Sequence, residues 1–456
     1  MKTIFSLIIA IIFATVANSN AQYSARPFGP ATTPLSVSIT GTQSVGIVYT
    51  IREGCNFQLS NTTYNISNGK WADAITYIDP YPNALTGITF NDLSGVYGSL
   101  SVSGNSITSY SFPQLLYVGS GLTLSGSTTS FSAPLVEYIG SLGDTCPLLT
   151  SMNLPSLKYI ATLGSVENGL TSLSMPNLFQ AGTVATSYTS LSNFSLPNLT
   201  YVTNYFGPTL SATSVNLPNL TTITSNFTGN YNNLLSLSLP SLITVGSNFN
   251  PTGSSITSIS CPNLKYIGNT YSVVCTSLTS KNFNSLIVIG GPYNPSETSL
   301  VNDYFPALTT IGSYYNLASN FVVVSASYPA LATIGSTLNI STCPNITTFA
   351  TPNLVSIGGA VTFNTATGNF SSVTLGTIGK LKSVNGSINI SGQKLPQANI
   401  DSILTLIASL DGTNGTTSWG TGKTLTLNGG TNATPSASGS TSKATIVARG
   451  GTVTTN

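Results

Sequence analysis

A proline-centred phrase returns about every 22 residues through most of this 456-residue chain, and no other feature restricts the fold as strongly. The copies run from SYSFPQLLYV to TFATPNLVSI. Their anchors are Pro113, Pro134, Pro155, Pro176, Pro197, Pro218, Pro240, Pro262, Asn284 in place of proline, Pro306, Pro329 and Pro352. The gaps are 21 residues five times, then 22 four times, then 23 twice. A fixed period in this range denotes a solenoid, in which one short unit stacks on the next. Each coil then packs only on its neighbours, so chain length is not limited by the size of a single core.

The positions within a repeat carry the physics. Two residues after the anchor stands Leu or Val in every copy, from Leu115 to Leu354. Five after it stands Val, Ile or Ala, from Val118 to Ile357. These are expected to be inward columns, each fully buried Leu or Ile contributing roughly 1.5–3 kcal/mol before entropy is subtracted. The sixth position is usually Gly, as at Gly268 and Gly290, and is read as the positive-φ corner of a closing coil. Before the anchor the pattern alternates. Leu237 and Leu239 are apolar, while Ser236 and Ser238 are hydroxyls, and the same holds around Leu173 and Phe194. Period two marks a strand with one face inward and one outward. The proline, lacking a donor, ends it. Stacked strands predict a right-handed parallel β-solenoid of about 22-residue coils, mainly β, spanning roughly 60 Å at about 4.8 Å per coil.

The phrase S-L-S-L-P-N-L-x-x-I-G, present with small changes at Ser236–Gly246 and Ser258–Gly268, resembles the leucine-rich-repeat superfamily and its receptor L-domain-like branch. The resemblance covers about residues 89–390. It departs from the standard repeat in that only Pro separates the second strand Leu from the Asn, seen at Asn177, Asn198, Asn219, Asn263 and Asn353. A slim, helix-poor solenoid is therefore expected in place of a horseshoe with outer helices. The family's use in binding and adhesion implies no chemistry.

From Leu395 the grammar changes. Ile400, Ile403, Leu404, Ile407 and Leu410 have helical spacing, with Asn399 or Asp401 near the helix start. A strand in KTLTLNGG, a second helix in SASGSTSKATIVARGG ended by Gly450, and a last strand TVTTN follow. This small α/β tail resembles the C-terminal module that closes leucine-rich-repeat-like bacterial surface and phage structural proteins. Residues 22–88 do not repeat and are read as an N-terminal cap, 89–394 as the solenoid and 395–456 as a C-terminal cap. The start, MKTIFSLIIAIIFATVANSNA, has Lys2, an apolar run from Ile4 to about Ala14, and small residues Ser19 and Ala21 before Gln22. It reads as a signal peptide over 1–21, its apolar run too short to span a bilayer. Secretion or surface display is expected, with no membrane span after cleavage.

Thirteen basic and 11 acidic residues give a net charge of +2, which argues against nucleic acid as a partner. Ser and Thr total 131, so exposed positions carry hydroxyls in place of ions. The five cysteines form no disulfide-scaffold or zinc spacing, and those of the solenoid are expected to be buried and unpaired. Histidine is absent, which removes the commonest general base and most zinc sites. A glycosidase needs two carboxylates about 5–10 Å apart. Glu297 and Asp303 are close in sequence, yet are read as two solvated loop charges. No catalytic residue, cofactor site or metal site is expected, and the chain reads as non-enzymatic.

Two surfaces remain as candidate binding faces. One is the hydroxyl face of the strands: Ser172, Ser174, Ser195, Ser236, Ser238, Ser258 and Ser260. The other is a tyrosine column four residues after the anchor: Tyr117, Tyr138, Tyr159, Tyr201 and Tyr266. Such rows bind sugars or fill a partner's pockets, or simply pack on one another. The expected partner is an extracellular protein or glycan. Self-assembly into a filament, sheath or phage fibre is the alternative, and an ice-binding or glycan-active role the second. Ice binding usually uses regular Thr-x-Thr rows, whereas Ser and Asn dominate here.

Overall fold

The computed structural model describes residues 93–456 apart from 105–107, 167–168, 186, 189, 318–319, 321, 342 and 365–367, together with earlier strands over 35–42, 48–49, 65–66, 71–72, 75–79 and 84–90. The signal-peptide reading over 1–21, and Cys55, lie outside the described residues. The fold is a mainly β, parallel β-solenoid of about 12 turns, its coils about 22 residues apart, with two short helices near the C-terminus. It divides into two compact units, one ending at Ser225 and one beginning at Asn226.

In the first unit, the strands before Gly95 mix antiparallel with parallel pairing. Leu35–Thr42 runs antiparallel to Ala84–Phe90 and to Asn65–Ile66. Ala84–Phe90 then pairs in parallel with Ser109–Ser111, which pairs in parallel with Ser130–Ser132. A second ladder runs through the long strands Tyr117–Gly126, Tyr138–Thr145 and Tyr159–Val166 to Gln180–Val184. In the second unit the coils use shorter strands. Ser236–Ser238, Ser258–Ser260 and Ser280–Asn282 form one parallel ladder. Asn302–Tyr304, Ser325–Ser327, Thr348–Ala350 and Ser372–Thr374 form another. Phe227–Asn230 and Phe249–Thr252 pair on a further side.

The proline occupies the second position of a tight turn. Leu242 N–H donates to Leu239 O and Leu264 N–H to Cys261 O, each closing a turn around Pro240 or Pro262. Proline is preset for that position and the residue after it, Ser241 or Asn263, does not adopt positive φ, so the turn is of type I. Both columns after the anchor are sealed: Leu115, Leu242 and Leu354 are wholly buried, as are Val118, Ile267 and Ile357. The sequence expectation for the glycine at the sixth position needs correction. Gly268, Gly290 and Gly312 do not have positive φ. They are required because a Cβ on Gly268 would stand 1.9 Å from Gly246 O, and one on Gly290 2.2 Å from Gly268 O. Close approach of successive coils, with Gly290 N–H donating to Ile267 O, selects the residue.

The tail follows the expected order. Helix Gln397–Ala408 buries Ile400, Ile403, Leu404, Leu406 and Ile407. Its N-cap is Pro396, without a side-chain cap bond. Asn399 is engaged elsewhere, bridging the backbone N–H and O of Val373, and Asp401 accepts from Ser436 N–H. Ser436 caps the second helix, Ala437–Ala448, and Gly450 beyond it has φ +83°. The Arg449 guanidinium donates to Ala408 O and Leu410 O, satisfying carbonyls at the end of the first helix. Strands Thr424–Thr426 and Thr452–Thr454 extend the parallel ladder from Ile388–Asn389. No helix among the described residues is long and apolar enough to cross a membrane.

Candidate functional site

The outward positions of the short strands form columns in register. Ser172 and Ser174 lie opposite Ser151 and Asn153. Asn193 and Ser195 lie opposite Ser214 and Asn216. Ser236 and Ser238 lie opposite Ser258 and Ser260, which lie opposite Ser280 and Asn282. Ser172, Ser236 and Ser238 are exposed, whereas Ser174, Ser195, Ser258 and Ser260 are half-buried. The groups bond along the columns: Ser258 Oγ–H donates to Ser236 Oγ at 2.8 Å, Ser214 Oγ–H to Asn193 Oδ1 at 3.0 Å, and Asn216 Nδ2–H to Ser195 Oγ at 3.1 Å. A hydroxyl has one donor and two lone pairs, so a column bonded to itself keeps acceptor capacity toward solvent. In the second unit the same position carries Tyr304, half of its surface exposed, opposite Ser327. Tyr304 stands two residues before its anchor, outside the tyrosine column four residues after it, and its outward position follows from the period-two alternation.

The tyrosine column is broken up in space. Tyr117 stacks on Tyr138 with centroids 4.9 Å apart and an interplanar angle of 16°. Partial burial, then the phenols of Tyr138 and Tyr97, push Tyr117 above the usual tyrosine range. Gln180 takes the column's place between Tyr159 and Tyr201. Phe179 bridges them instead, edge-on to each at 6.3 and 5.5 Å. In the second unit Tyr266 lies between Thr244 and Val288. Rings that cover one another present edges, not open faces. Of this group Phe179 is the most open, at 40%.

The largest departure from the sequence reading concerns Glu297 and Asp303. They are not solvated loop charges: Glu297 is 0% and Asp303 1% exposed. Both contact the buried ammonium of Lys281, through Glu297 Oε2 at 2.8 Å and Asp303 Oδ1 at 2.6 Å. Tyr271 Oη–H donates to Glu297 Oε1 at 2.9 Å, and Tyr293 and Tyr328 donate to Asp303 Oδ2. Burial, then Asp303, pushes the Glu297 carboxyl up against the opposing pull of Lys281. Burial works against the Lys281 charge, but the two carboxylates outweigh it and hold the ammonium above the usual lysine range. A signal for this cluster was available. Lys281 and Asp303 each stand three residues before their anchors, at the inward position that Ile259, Ala326 and Phe349 fill in neighbouring coils.

Cys146, Cys261, Cys275 and Cys343 are buried free thiols. Burial, then Glu297, pushes Cys275 up to about 12, which keeps it a thiol at neutral pH. Among the described residues no group of three or more His, Cys, Asp and Glu side chains is arranged to hold a metal ion. Comparison with protein-family models, with curated proteins and with solved structures produced no match.

Proposed function

We propose that this protein is a secreted or surface-displayed, leucine-rich-repeat-like solenoid that acts without catalysis, in adhesion or extracellular binding of a glycan or protein. The observation supporting this reading is the in-register array of uncharged hydroxyl and amide groups on the outward strand faces, where Ser236, Ser258 and Ser280 repeat at about 4.8 Å. A regular neutral array offers hydrogen bonds to a repetitive ligand without the desolvation cost of ions. Tyr304 adds an exposed ring at the same strand position, suited to stacking on a sugar or filling a partner's pocket. The leader-like start and the low charge accord with export.

The test is a glycan and cell-surface binding screen of residues 22–456, followed by the double variant Ser238→Lys/Ser260→Lys. Both side chains lie on outward positions, so the melting curve should stay within about 0.5 kcal/mol of the parent. Binding should weaken by about tenfold or more, since two bulky charges on the face cost about 1.4 kcal/mol or more. Unchanged binding places the site elsewhere. Polymers of the purified protein in the electron microscope would favour a filament subunit instead.

A further inference from the structure

The Lys281 cluster holds the parts of a condensation reaction. An amine, a carboxyl and a second carboxyl meet in an interior from which water is excluded, with side-chain exposures of 2% for Lys281 and 0% for both acids. Lys281 Nζ lies 2.6 Å from Asp303 Oδ1. Rings surround the pair: Nζ is 4.6 Å from the centroid of Phe305 and 5.5 Å from that of Tyr271. The two oxygens of Asp303 have different partners. Oδ1 faces the amine, while Oδ2 accepts from Tyr293 Oη–H at 2.7 Å and from Tyr328 Oη–H. Tyr328 is itself bonded to Tyr315, with 2.9 Å between their hydroxyls. Glu297 is fixed by Tyr271 on one oxygen and reaches Lys281 Nζ with the other. Its backbone N–H is held by Asn320 Oδ1 at 2.7 Å.

We propose that Lys281 and Asp303 condense to an intramolecular amide that joins two successive coils, with Glu297 as the proton carrier. The atoms balance as an ammonium plus a carboxylate giving a secondary amide plus water. Glu297 takes a proton from the Lys281 ammonium across the 2.8 Å contact, freeing the nitrogen lone pair. Glu297 passes that proton to Asp303 Oδ1, so Nζ attacks Cγ of a neutral carboxyl, and the C–N bond forms. The charge that develops on Oδ2 is met by the Tyr293 and Tyr328 hydroxyls, as in an oxyanion hole. Glu297, emptied by the first transfer, takes the second proton from the nitrogen and passes it to Oδ1 as well; the Cγ–Oδ1 bond breaks, and Oδ1 leaves as water. No oxidant or cofactor enters. In water the reverse reaction dominates. Here the reactants are held in contact, which well-oriented systems convert into effective molarities of about 10⁵–10⁸ M. Burial raises the Glu297 carboxyl, which suits it to hold a proton in transit. A buried ion triad left as ions is a weak source of stability, whereas the amide removes one positive and one negative charge from the interior.

Peptide mapping of the purified full chain tests this. Trypsin cuts after free lysine and not after an acylated one. A linked protein therefore yields one peptide, Tyr266–Lys380, lighter than its sequence by one water, with tandem fragmentation placing the branch between Lys281 and Asp303. Cleavage after Lys281 together with full mass for the Asp303-containing peptide would overturn the proposal, and this reading needs no variant to fold. Asp303→Asn should release ammonia in place of water and reach the same final peptide mass as the parent. Glu297→Gln should leave the lysine free. Complete linkage in Glu297→Gln would overturn its role as carrier.

Discussion

Coils before Ser225 and coils after Asn226 use the same proline turn around different interiors. In the first unit the period is 21 residues. Eight or nine residues past the anchor its interior carries Leu122, Leu142, Leu163 and Val184 and then, after Pro197, the first ring, Phe206, all buried. In the second unit the period is 22 or 23, and the ninth position carries Phe227, Phe249, Tyr271, Tyr293 and Tyr315. These rings stack in sequence, with Tyr271–Tyr293 and Tyr293–Tyr315 centroids each 5.1 Å apart. A second buried row, Phe283, Phe305, Tyr328 and Phe349, meets the first edge-on. A ring column occupies more volume than an aliphatic one, and interiors are close-packed, so the longer coils supply perimeter that a continuous row of rings fills. The wider interior also brings hydroxyls inside, and those hydroxyls are what allow Lys281, Glu297 and Asp303 to be buried with partners. The Leu and Val side chains at Leu142, Leu163 and Val184 offer no such partners.

Alkaline pH should separate the two interiors most. Burial, first, and the nearby acids push the phenols of Tyr271, Tyr293, Tyr315 and Tyr328 well above the usual tyrosine range. A folded pKa above the unfolded one means stability that is complete below about pH 10 and is lost as pH rises past it. The loss is about 1.4 kcal/mol for each phenol and each pH unit while the folded phenol stays protonated. Hydrogen exchange resolved by region should show protection falling in coils 271–328 well before the coils around Leu157. Equal loss in both regions would contradict the buried-phenol picture.

Next in size is Leu242→Asp, which buries an unpaired charge in the aliphatic column and should cost roughly 4 kcal/mol in urea unfolding. A parental unfolding curve would refute the inward column. Gly290→Ala should cost about 1–3 kcal/mol, because its Cβ meets Gly268 O at 2.2 Å, whereas Gly143→Ala in the first unit meets nothing within 4 Å and should be near neutral. The smallest effect concerns the asparagine that follows the proline. Asn177, Asn198 and Asn219 donate to the proline carbonyl of the preceding coil at 2.7, 2.8 and 2.9 Å. Asn263 and Asn353 do so in the second unit. Asn219→Ala should lower stability by about 1 kcal/mol or less, since the bond is exposed. Replacing all three in the first unit should lower its melting temperature measurably.

Much of the architecture was legible because it depends on spacing. The strand alternation around Leu237, the turn at Pro240 and the two buried columns follow from residue type at fixed offsets, and the helix over Ile400–Ile407 from its own periodicity. The hydroxyl columns were legible for the same reason, since period two assigns Ser236 and Ser238 to one face. The glycine was misread because its constraint comes from a carbonyl 22 residues away, not from its own φ. Glu297 was misread because nothing local distinguishes an acid in a loop from an acid turned inward.

The sequence by itself determined the coil, its period, its inward aliphatic columns and its neutral outward face, because each is a short-range consequence of side-chain type repeated at constant spacing. Only the tertiary structure decided which distant groups meet. Stacking brings Lys281, Glu297 and Asp303 from successive coils into one water-poor interior with four phenols, and juxtaposition across coils is set by packing and register.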